Sequence, residues 1–309
     1  MTVFSVRHLT TYRYKRRVEF GEHRIFFRPR DSYDQRLLSS DVTAGPSPSV
    51  IRWKHDVFGN CLATVSFTKP ATEVRFESCI RIDHRQHDGP DLSGPGARQA
   101  LPFLYEQDEA DDLAAFIRVH FPSNEISDWA QRFVERRRRG QAASGPHAGD
   151  VLDIHATLVT ICHEIHGSFA YARRSAHGTQ SPQTTLELRR GTCRDFALLM
   201  MEVARNLGLA ARFVTGYIYV PSRDGSRTLG GGSTHAWCEV YVPGAGWAEF
   251  DPTNAIVGNR DLIRVAVARD PRQVIPLTGS YEGTAADFDS LSVQVNVTTE
   301  TENQASNAA

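Results

Sequence analysis

The 309-residue chain lacks any apolar run approaching the roughly 18 residues that a membrane-spanning helix needs. Its first segment alternates apolar and polar side chains without a continuous hydrophobic region, which is not the pattern of a secretory signal peptide. With 40% hydrophobic and 23% charged residues, the composition is typical of a soluble globular protein. We therefore expect a cytoplasmic protein without a membrane partner.

The sequence also has almost no net charge, because 35 lysines and arginines offset 36 aspartates and glutamates and leave a formal charge of −1. No overall field attracts nucleic acid, so we expect no nucleic-acid partner. Four consecutive arginines at residues 136–139 do not change this expectation. They fall at the end of a predicted helix, before Gly140, where basic side chains offset the helix dipole and glycine commonly forms the cap.

Cysteine is scarce and its spacing shows no pairs. The five cysteines form an odd number, which argues against a disulfide framework and leaves room for a free functional thiol. Four lie in apolar segments and are predicted to be buried small hydrophobic residues: Cys61, Cys79, Cys162 and Cys238. The fifth, Cys193, stands at the start of an apolar helix and is the candidate for a functional thiol.

Metal and phosphate motifs are missing from the sequence. The histidines of the Cys-His-Glu-Ile-His segment at 162–166 stand three residues apart, so the segment is not the HExxH zinc motif and is interpreted as polar helix surface. Neither an EF-hand loop nor a phosphate-binding glycine loop occurs. We therefore expect no metal and no other cofactor.

Pattern and composition divide the chain into four parts. Residues 1–85 contain short segments rich in β-branched and aromatic residues and predict a β-sandwich. Residues 86–149 form a linker, with predicted helices at 110–121 and 126–138, that leads into the core. Residues 150–298 mix helices and strands and predict an α+β catalytic core, whereas the small polar residues 299–309 predict a disordered tail.

Within the predicted core, an amphipathic helix at 150–167 precedes a loop at 172–190. A buried helix then begins near Cys193 and is stopped by Gly208. The remaining pattern predicts strands, which in order are residues 211–220, the hairpin strands 235–242 and 246–250, and two further strands at 264–267 and 291–297.

The position of Cys193 suits a nucleophile. A thiol attacks as the thiolate, and an unperturbed cysteine, with a pKa of about 8.5, is mostly protonated at neutral pH. Free backbone N–H groups and the dipole at a helix start favour the negative charge. A histidine placed against the thiol could accept its proton and hold it as imidazolium.

The predicted hairpin supplies that histidine. His235 begins its first strand and Asp251 ends its second, so an antiparallel pairing makes the two residues neighbours. The carboxylate could then accept the imidazole N–H and fix the ring, leaving the other ring nitrogen to face the thiol. Each residue alone is a weak signal, and their joint arrangement with Cys193 is the specific one.

Four blocks carry a family resemblance: Gly-Thr-Cys-Arg-Asp-Phe-Ala at 191–197, residues 208–217, residues 235–247 and Phe-Asp-Pro-Thr-Asn at 250–254. In this order they resemble the motifs of bacterial transglutaminase-like proteins, over about residues 150–270. Residues 1–85 are similar to the β-rich N-terminal region that often precedes that core. The resemblance implies a papain-like fold, with a helix-borne cysteine packed on an antiparallel sheet.

The resemblance also implies a Cys-His-Asp triad, and the matching positions are Cys193, His235 and Asp251. We expect thiol-dependent acyl chemistry on amide bonds of a peptide or protein substrate, through a thioester. Two alternatives remain open on the sequence alone. A cysteine peptidase or isopeptidase would use the same triad with water as the acceptor, and a non-enzymatic binding or scaffold module would use no triad at all.

Several other residues have weaker predicted roles. The backbone N–H of Cys193 is a natural oxyanion donor, and Tyr171 and Gln183 are candidates for the second donor. Asp195 is predicted to brace the helix start, and the glycine-rich loop at 222–233 is a candidate gate. The tryptophans of the hairpin are predicted to pack in the core rather than to line the cleft: Trp237 and Trp247.

Overall fold

A computed structural model of the chain describes residues 2–47, 49–90, 103–142, 153–172, 178–220, 229 and 231–300. The side chains of residue 49 and of residues 137–142 are outside this description. Within the described part of the chain, no helix is long and apolar enough to cross a membrane.

Strands fill the first part of the chain. They are β1 (Thr2–Phe20), β2 (His23–Arg28), β3 (Gln35–Gly45), β4 (Ser49–His55), β5 (Cys61–Phe67) and β6 (Ala71–His84). Helices and short strands follow as α1 (Gln107–Ile117), α2 (Asn124–Ala142), α3 (Ile154–Ser168), β7 (Ala170–Tyr171), α4 (Pro182–Leu188), β8 (Arg190–Gly191) and α5 (Cys193–Asn206).

The last part of the chain is again rich in strands. They are β9 (Ala211–Ile218), β10 (His235–Val242), β11 (Gly246–Asp251), β12 (Ile256–Val257), β13 (Leu262–Ala268), β14 (Leu277–Thr278), β15 (Tyr281–Glu282) and β16 (Phe288–Thr299). Short 3-10 helices occupy Pro271–Val274 and Ala285–Asp287.

The N-terminal strands form a sandwich, as the sequence predicts. One sheet has the order β3-β6-β1-β16, with β15 paired to the far end of β1, and the other has the order β14-β2-β5-β4. Inward-facing side chains of both sheets build a core between them: Tyr14, Val18, Ile25, Phe27, Ala63, Val65, Val74 and Phe76. Along β5 and β6 these residues alternate with polar ones, so that one face of each strand turns toward the core.

The predicted core, residues 150–298, extends too far along the chain, because its last strands belong to the N-terminal sandwich. Strands β14, β15 and β16 all pair with strands of the sandwich, and β16 continues to Thr299, which lies opposite Phe4. The alternating pattern of residues 291–297 specifies a strand but not its partner, which here is the open edge of β1. The predicted disordered tail therefore begins too early, and residues 301–309 lie outside the described part of the chain.

The second half of the fold places helices on an antiparallel sheet. Its strands have the order β12-β11-β10-β9-β13, and the almost fully buried α5 packs against β10 and β9. Gly208, which has a φ of +82°, follows the end of α5 and stops the helix, as predicted. This mixed α+β architecture confirms the predicted fold class.

The helical region departs from the sequence prediction in three places. Helices α1 and α2 are not a detached linker, because Leu113 and Trp129 lie in the same hydrophobic core as α5. Helix α2 runs past Gly140 to Ala142, so the predicted glycine cap is wrong. The predicted loop at 172–190 contains α4, which the Ser181 side chain caps and a proline begins.

The sandwich and the core sheet are joined by buried polar contacts. The His8 ring hydrogen bonds the Tyr217 hydroxyl at 3.0 Å. Asn60 bonds both backbone groups of Val267, donating at 2.7 Å and accepting at 2.9 Å. Such paired bonds between buried groups fix the relative position of the two layers.

Candidate active site

The start of α5 is held by a buried carboxylate. Asp195 accepts hydrogen bonds from the backbone N–H and the hydroxyl of Thr192, at 2.8 and 2.9 Å. Its other oxygen accepts the backbone N–H of Gln180 at 2.6 Å. A Cβ at position 191 would lie 2.9 Å from the Asp195 Cβ, which explains the glycine there. The predicted bracing role of Asp195 is confirmed.

Cys193 is the first residue of α5 and is 7% exposed. The other cysteines follow the sequence prediction only in part. Cys162 and Cys238 are buried, but Cys61 is half-buried and Cys79 is exposed. Strand alternation explains Cys79, because its neighbours Ser78 and Ile80 face the interior and Cys79 therefore faces outward.

The hairpin of β10 and β11 brings His235 against Asp251. The Nε2 atom of the ring lies 2.8 Å from Oδ2 of the carboxylate, and both side chains are buried. The ladder pairs Cys238 with Phe250, so the two residues are diagonal rather than directly opposite neighbours. The sequence thus predicted the contact correctly, although the register is offset.

Burial and charge have opposite effects on the protonation of His235 and Asp251, and charge prevails. Burial alone disfavours imidazolium, but the charge and hydrogen bond of Asp251, together with the Cys193 thiol, outweigh it and raise the pKa of His235 to about 10. Burial works against the carboxylate too, and the His235 charge and hydrogen bonds lower the pKa of Asp251 nevertheless. The pair is therefore an imidazolium and a carboxylate at neutral pH.

The free ring nitrogen of His235 faces the cysteine. Among the described residues, the buried Nδ1 atom has no partner of good hydrogen-bond geometry. Cys193 is nevertheless close enough to contribute to the raised pKa of the ring. The structure therefore brings the three predicted site residues together, with the ring between the carboxylate and the thiol.

Sequence reasoning missed one residue that positions the carboxylate. Asn254 donates to Oδ2 of Asp251 at 2.8 Å, and its amide also exchanges two hydrogen bonds with the backbone of Leu229. The backbone N–H of Thr253 donates to Oδ1 at 2.9 Å. The signal was the Asx-turn composition of the Asp-Pro-Thr-Asn segment, whose side chains commonly bond the local backbone.

Cys193 and His235 line one cleft of about 620 Å³. The wall next to them comes from the segment that precedes β10, from Tyr171, and from residues 291–293 of β16. Tyr171, the other candidate for the second oxyanion donor, therefore lines the same cleft as Cys193. Gln183 does not line the cleft; its amide donates to the Glu125 carboxylate at 3.2 Å on the surface, so it is excluded as that donor.

The two tryptophans differ in environment. Trp237 is fully buried in a small cluster with Val214 and Leu262 and stacks on the His235 ring at 6.0 Å between centroids, so its core role is confirmed. Trp247 is half-buried, and the Arg212 guanidinium lies 4.0 Å above its ring. Most of the predicted gate loop at 222–233, namely residues 222–228 and 230, lies outside the described residues.

A second cavity of about 380 Å³ lies beside Trp247 and contains neither Cys193 nor His235. Arg264 dominates it and forms ion pairs with Asp34, Glu239 and Glu249. Burial raises the pKa of Glu249 to about 7, against the opposing pull of Arg264. Of these two cavities, only the first is lined by Cys193 and His235.

A helix-borne thiol facing a histidine and an aspartate on an antiparallel sheet defines the class of papain-like thiol enzymes. Comparisons with known families agree. Residues 4–83 match the bacterial transglutaminase-like N-terminal region, and residues 143–252 match the transglutaminase-like superfamily core. The chain is thus a bacterial transglutaminase-like protein, and the predicted resemblance is confirmed. Thiol-based catalysis is the general chemistry that this match supports.

Individual relatives cover most of the chain. An uncharacterized protein of Mycobacterium tuberculosis H37Rv is 28% identical over 284 residues, which is 89% of this chain and 86% of the relative. An uncharacterized protein of Mycobacterium leprae is 40% identical over 111 residues, 35% of this chain and 38% of the relative. The crystal structure of "a Putative Cysteine Protease from Cytophaga hutchinsonii" superposes with a TM-score of 0.69 at 19% identity, covering 97% of this chain and 91% of that one. This likeness shows the fold.

Proposed function

We propose that the protein performs acyl chemistry on amide bonds, with Cys193 as nucleophile, His235 as proton carrier and Asp251 as the group that orients the ring. The observation that supports this most strongly is the buried hydrogen bond of 2.8 Å between His235 and Asp251, in the cleft that Cys193 opens into. The Cys193 thiol contributes to the raised pKa of the same ring, which supports its place beside the second ring nitrogen, Nδ1.

The proposed reaction has two halves. The Cys193 thiolate attacks the carbonyl carbon of a carboxamide and forms a tetrahedral oxyanion. Imidazolium of His235 donates its proton to the leaving nitrogen, the C–N bond breaks, and a thioester with free ammonia or amine remains. The now neutral ring then takes a proton from the incoming acceptor, which attacks the thioester; the C–S bond breaks and the Cys193 thiolate and the His235 imidazolium are restored.

The oxyanion needs donors that are already in place. The backbone N–H of Cys193 belongs to the first turn of α5, where N–H groups have no partner within the helix. The Tyr171 side chain lines the same cleft and is our proposal for the second donor. Asp251 contributes indirectly, since it keeps the ring charged and its free nitrogen aimed at the sulfur.

The group that attacks the thioester decides whether the reaction is an acyl transfer or a hydrolysis. A primary amine would complete an acyl transfer, whereas water would complete hydrolysis and make the protein a peptidase or isopeptidase. Hydrolysis is the second candidate because the described wall of the cleft includes the polar residues Ser233, Thr234 and Ser292, which do not exclude water. The substrate in both cases is a peptide or protein.

Mass spectrometry of the intact protein tests this proposal. The protein is incubated with a library of glutamine-containing peptides, with and without a primary amine such as cadaverine. We expect an adduct on Cys193 whose mass equals the peptide minus ammonia, and no adduct with Cys193→Ala. Amine incorporation then identifies acyl transfer, and its absence with peptide release identifies hydrolysis. No adduct on the wild type, with any peptide, would favour a non-enzymatic binding module.

A further inference from the structure

Strand β16 forms part of the wall of the catalytic cleft although it belongs to the N-terminal sandwich. Its residues Leu291, Ser292 and Val293 line the cleft together with Cys193 and His235. Its inner edge pairs with β1, in a register that places Leu291 opposite Tyr12 and Val295 opposite His8. Beyond β16 the sheet has no further strand among the described residues, so β16 is its edge.

The outer edge of β16 points toward the active site. The backbone N–H of Val295 donates to the carbonyl of Gly232 at 3.1 Å, so it points away from β1 and toward the segment that leads into His235. Backbone N–H and C=O groups alternate in direction from one residue of a strand to the next. Those of Leu291 and Val293 therefore point to the same side as those of Val295, away from β1. For these two residues, the described part of the chain supplies no backbone partner on that side.

The side chains of the same residues are apolar and accessible. Leu291 is 49% exposed and Val293 is 36% exposed, whereas Val295 and Val297, further along the same face, pack against the main core. Residues 290–299 contain no charged residue and no proline. Charge and proline are the usual means of protecting an edge strand from pairing with another chain, and residues 290–299 of this edge have neither.

We propose that β16 is the docking edge for the substrate, which binds as an added, extended strand beside Leu291 and Val293 and presents its glutamine to Cys193. This inference rests on the proposed function. The occupant is a peptide segment because the open edge is continuous with the cleft that holds the nucleophile. Main-chain hydrogen bonds to the edge supply affinity, and the apolar side chains at alternate positions select the substrate residues that lie beside them.

Two substitutions of Val293 distinguish the contribution of its backbone N–H from that of its side chain. Val293→Pro removes the outward N–H but no hydrogen bond to β1, because that N–H points away from the ladder. Val293→Ala removes the same side-chain contacts but keeps the N–H. For a glutamine peptide that acylates the wild type, we expect kcat/KM to be about two- to tenfold lower in Val293→Pro than in Val293→Ala, the range for one backbone hydrogen bond.

A small ester serves as the internal reference. p-Nitrophenyl acetate acylates a reactive thiol but is too short to reach β16, so the ratio of peptide to ester kcat/KM isolates strand docking. We expect this ratio to fall in Val293→Pro and to keep its wild-type value in Gln294→Lys, which adds a charge on the opposite face of the same strand. Equal ratios in Val293→Pro and Val293→Ala would overturn the docking edge while leaving the thiol chemistry standing. Failure of the wild type with both substrates would instead overturn the proposed function.

Backbone methylation of the peptide tests the proposal on the wild-type enzyme, should the proline variant not fold. Single N-methyl groups are placed at successive residues of the same peptide. We expect a period of two, in which alternate positions raise KM by about tenfold and the positions between them change it less, because only every second N–H of a strand faces its neighbour. A uniform or absent effect would overturn the proposal. A concentration-dependent dimer that Val293→Pro converts to monomer would show that a second copy, and not substrate, occupies the edge.

Discussion

The Nε2 atom of His235 lies 2.8 Å from Oδ2 of Asp251, and neither side chain is exposed to solvent. The carboxylate is held from two further sides by Asn254 and by the backbone of Thr253. A buried carboxylate fixed in this way can stabilise a buried imidazolium without moving. The pair therefore sets both the charge and the direction of the ring that faces Cys193.

Asp251→Asn tests the orienting role. The amide has the shape of the carboxylate but no charge, so we expect the ring to lose its proton and its preferred tautomer. Turnover should fall by on the order of 10²- to 10⁴-fold. Steady-state kinetics with the acylating peptide measures the loss, and circular dichroism controls for folding. A well-folded variant with wild-type turnover would exclude Asp251 from the mechanism.

The raised pKa of His235 makes stability depend on pH. Its folded-state pKa of about 10 exceeds the value of 6.5 expected in the unfolded chain. The stabilisation is therefore fully present below about pH 6.5 and is lost as the pH rises toward 10, by up to about 1.4 kcal/mol per pH unit. We expect the free energy of unfolding of the wild type to fall relative to His235→Gln over this interval, in urea titrations. Parallel pH curves would contradict the charged pair.

Gly191 tests the geometry of the helix start. A Cβ there would lie 2.9 Å from the Asp195 Cβ, which is too near the backbone to move aside. We expect Gly191→Ala to destabilise the fold by about 1–3 kcal/mol and to reduce activity. Gly167→Ala is the matched control, since that exposed helical glycine has open space around it and should gain up to about 1 kcal/mol. Equal stability of the two variants would contradict the tight packing.

Asn254 is expected to act by positioning. Asn254→Ala removes a hydrogen bond to the Asp251 carboxylate, a loss of about 1.5–3 kcal/mol for a charged acceptor, so kcat should fall about 10- to 100-fold. Because the same hydrogen bond lowers the pKa of Asp251, the acidic limb of the pH–rate profile should move to higher pH. A merely structural role would lower stability and leave that limb in place.

The sequence predicted those parts of the site that depend on local pattern. Cys193 stood at a helix start, and the hairpin signal placed His235 near Asp251 because antiparallel pairing follows from a short turn. The capping role of Asp195 was readable for the same reason. Asn254 was missed although its hydrogen bond to Asp251 is local, because the turn composition of the segment indicates side chain–backbone bonds and does not specify which side chain contacts the carboxylate.

The sequence did not predict which strands pair when they lie far apart in the chain. Strand β16 was recognised as a strand but not as a partner of β1, since alternation fixes a face and not a neighbour. The place of Leu291 and Val293 in the cleft wall followed only from the assembled fold.

Thiol labelling at pH 6 tests the central claim most directly, because it needs no substrate. Cys79 is exposed and Cys193 is 7% exposed, so access alone would make Cys79 react first with iodoacetamide. Activation of the Cys193 thiol by His235 predicts the reverse order, with Cys193 labelled at least about tenfold faster in peptide mass spectrometry. His235→Gln should abolish that advantage. Faster labelling of Cys79, with a Cys193 rate that His235→Gln does not change, would contradict the account.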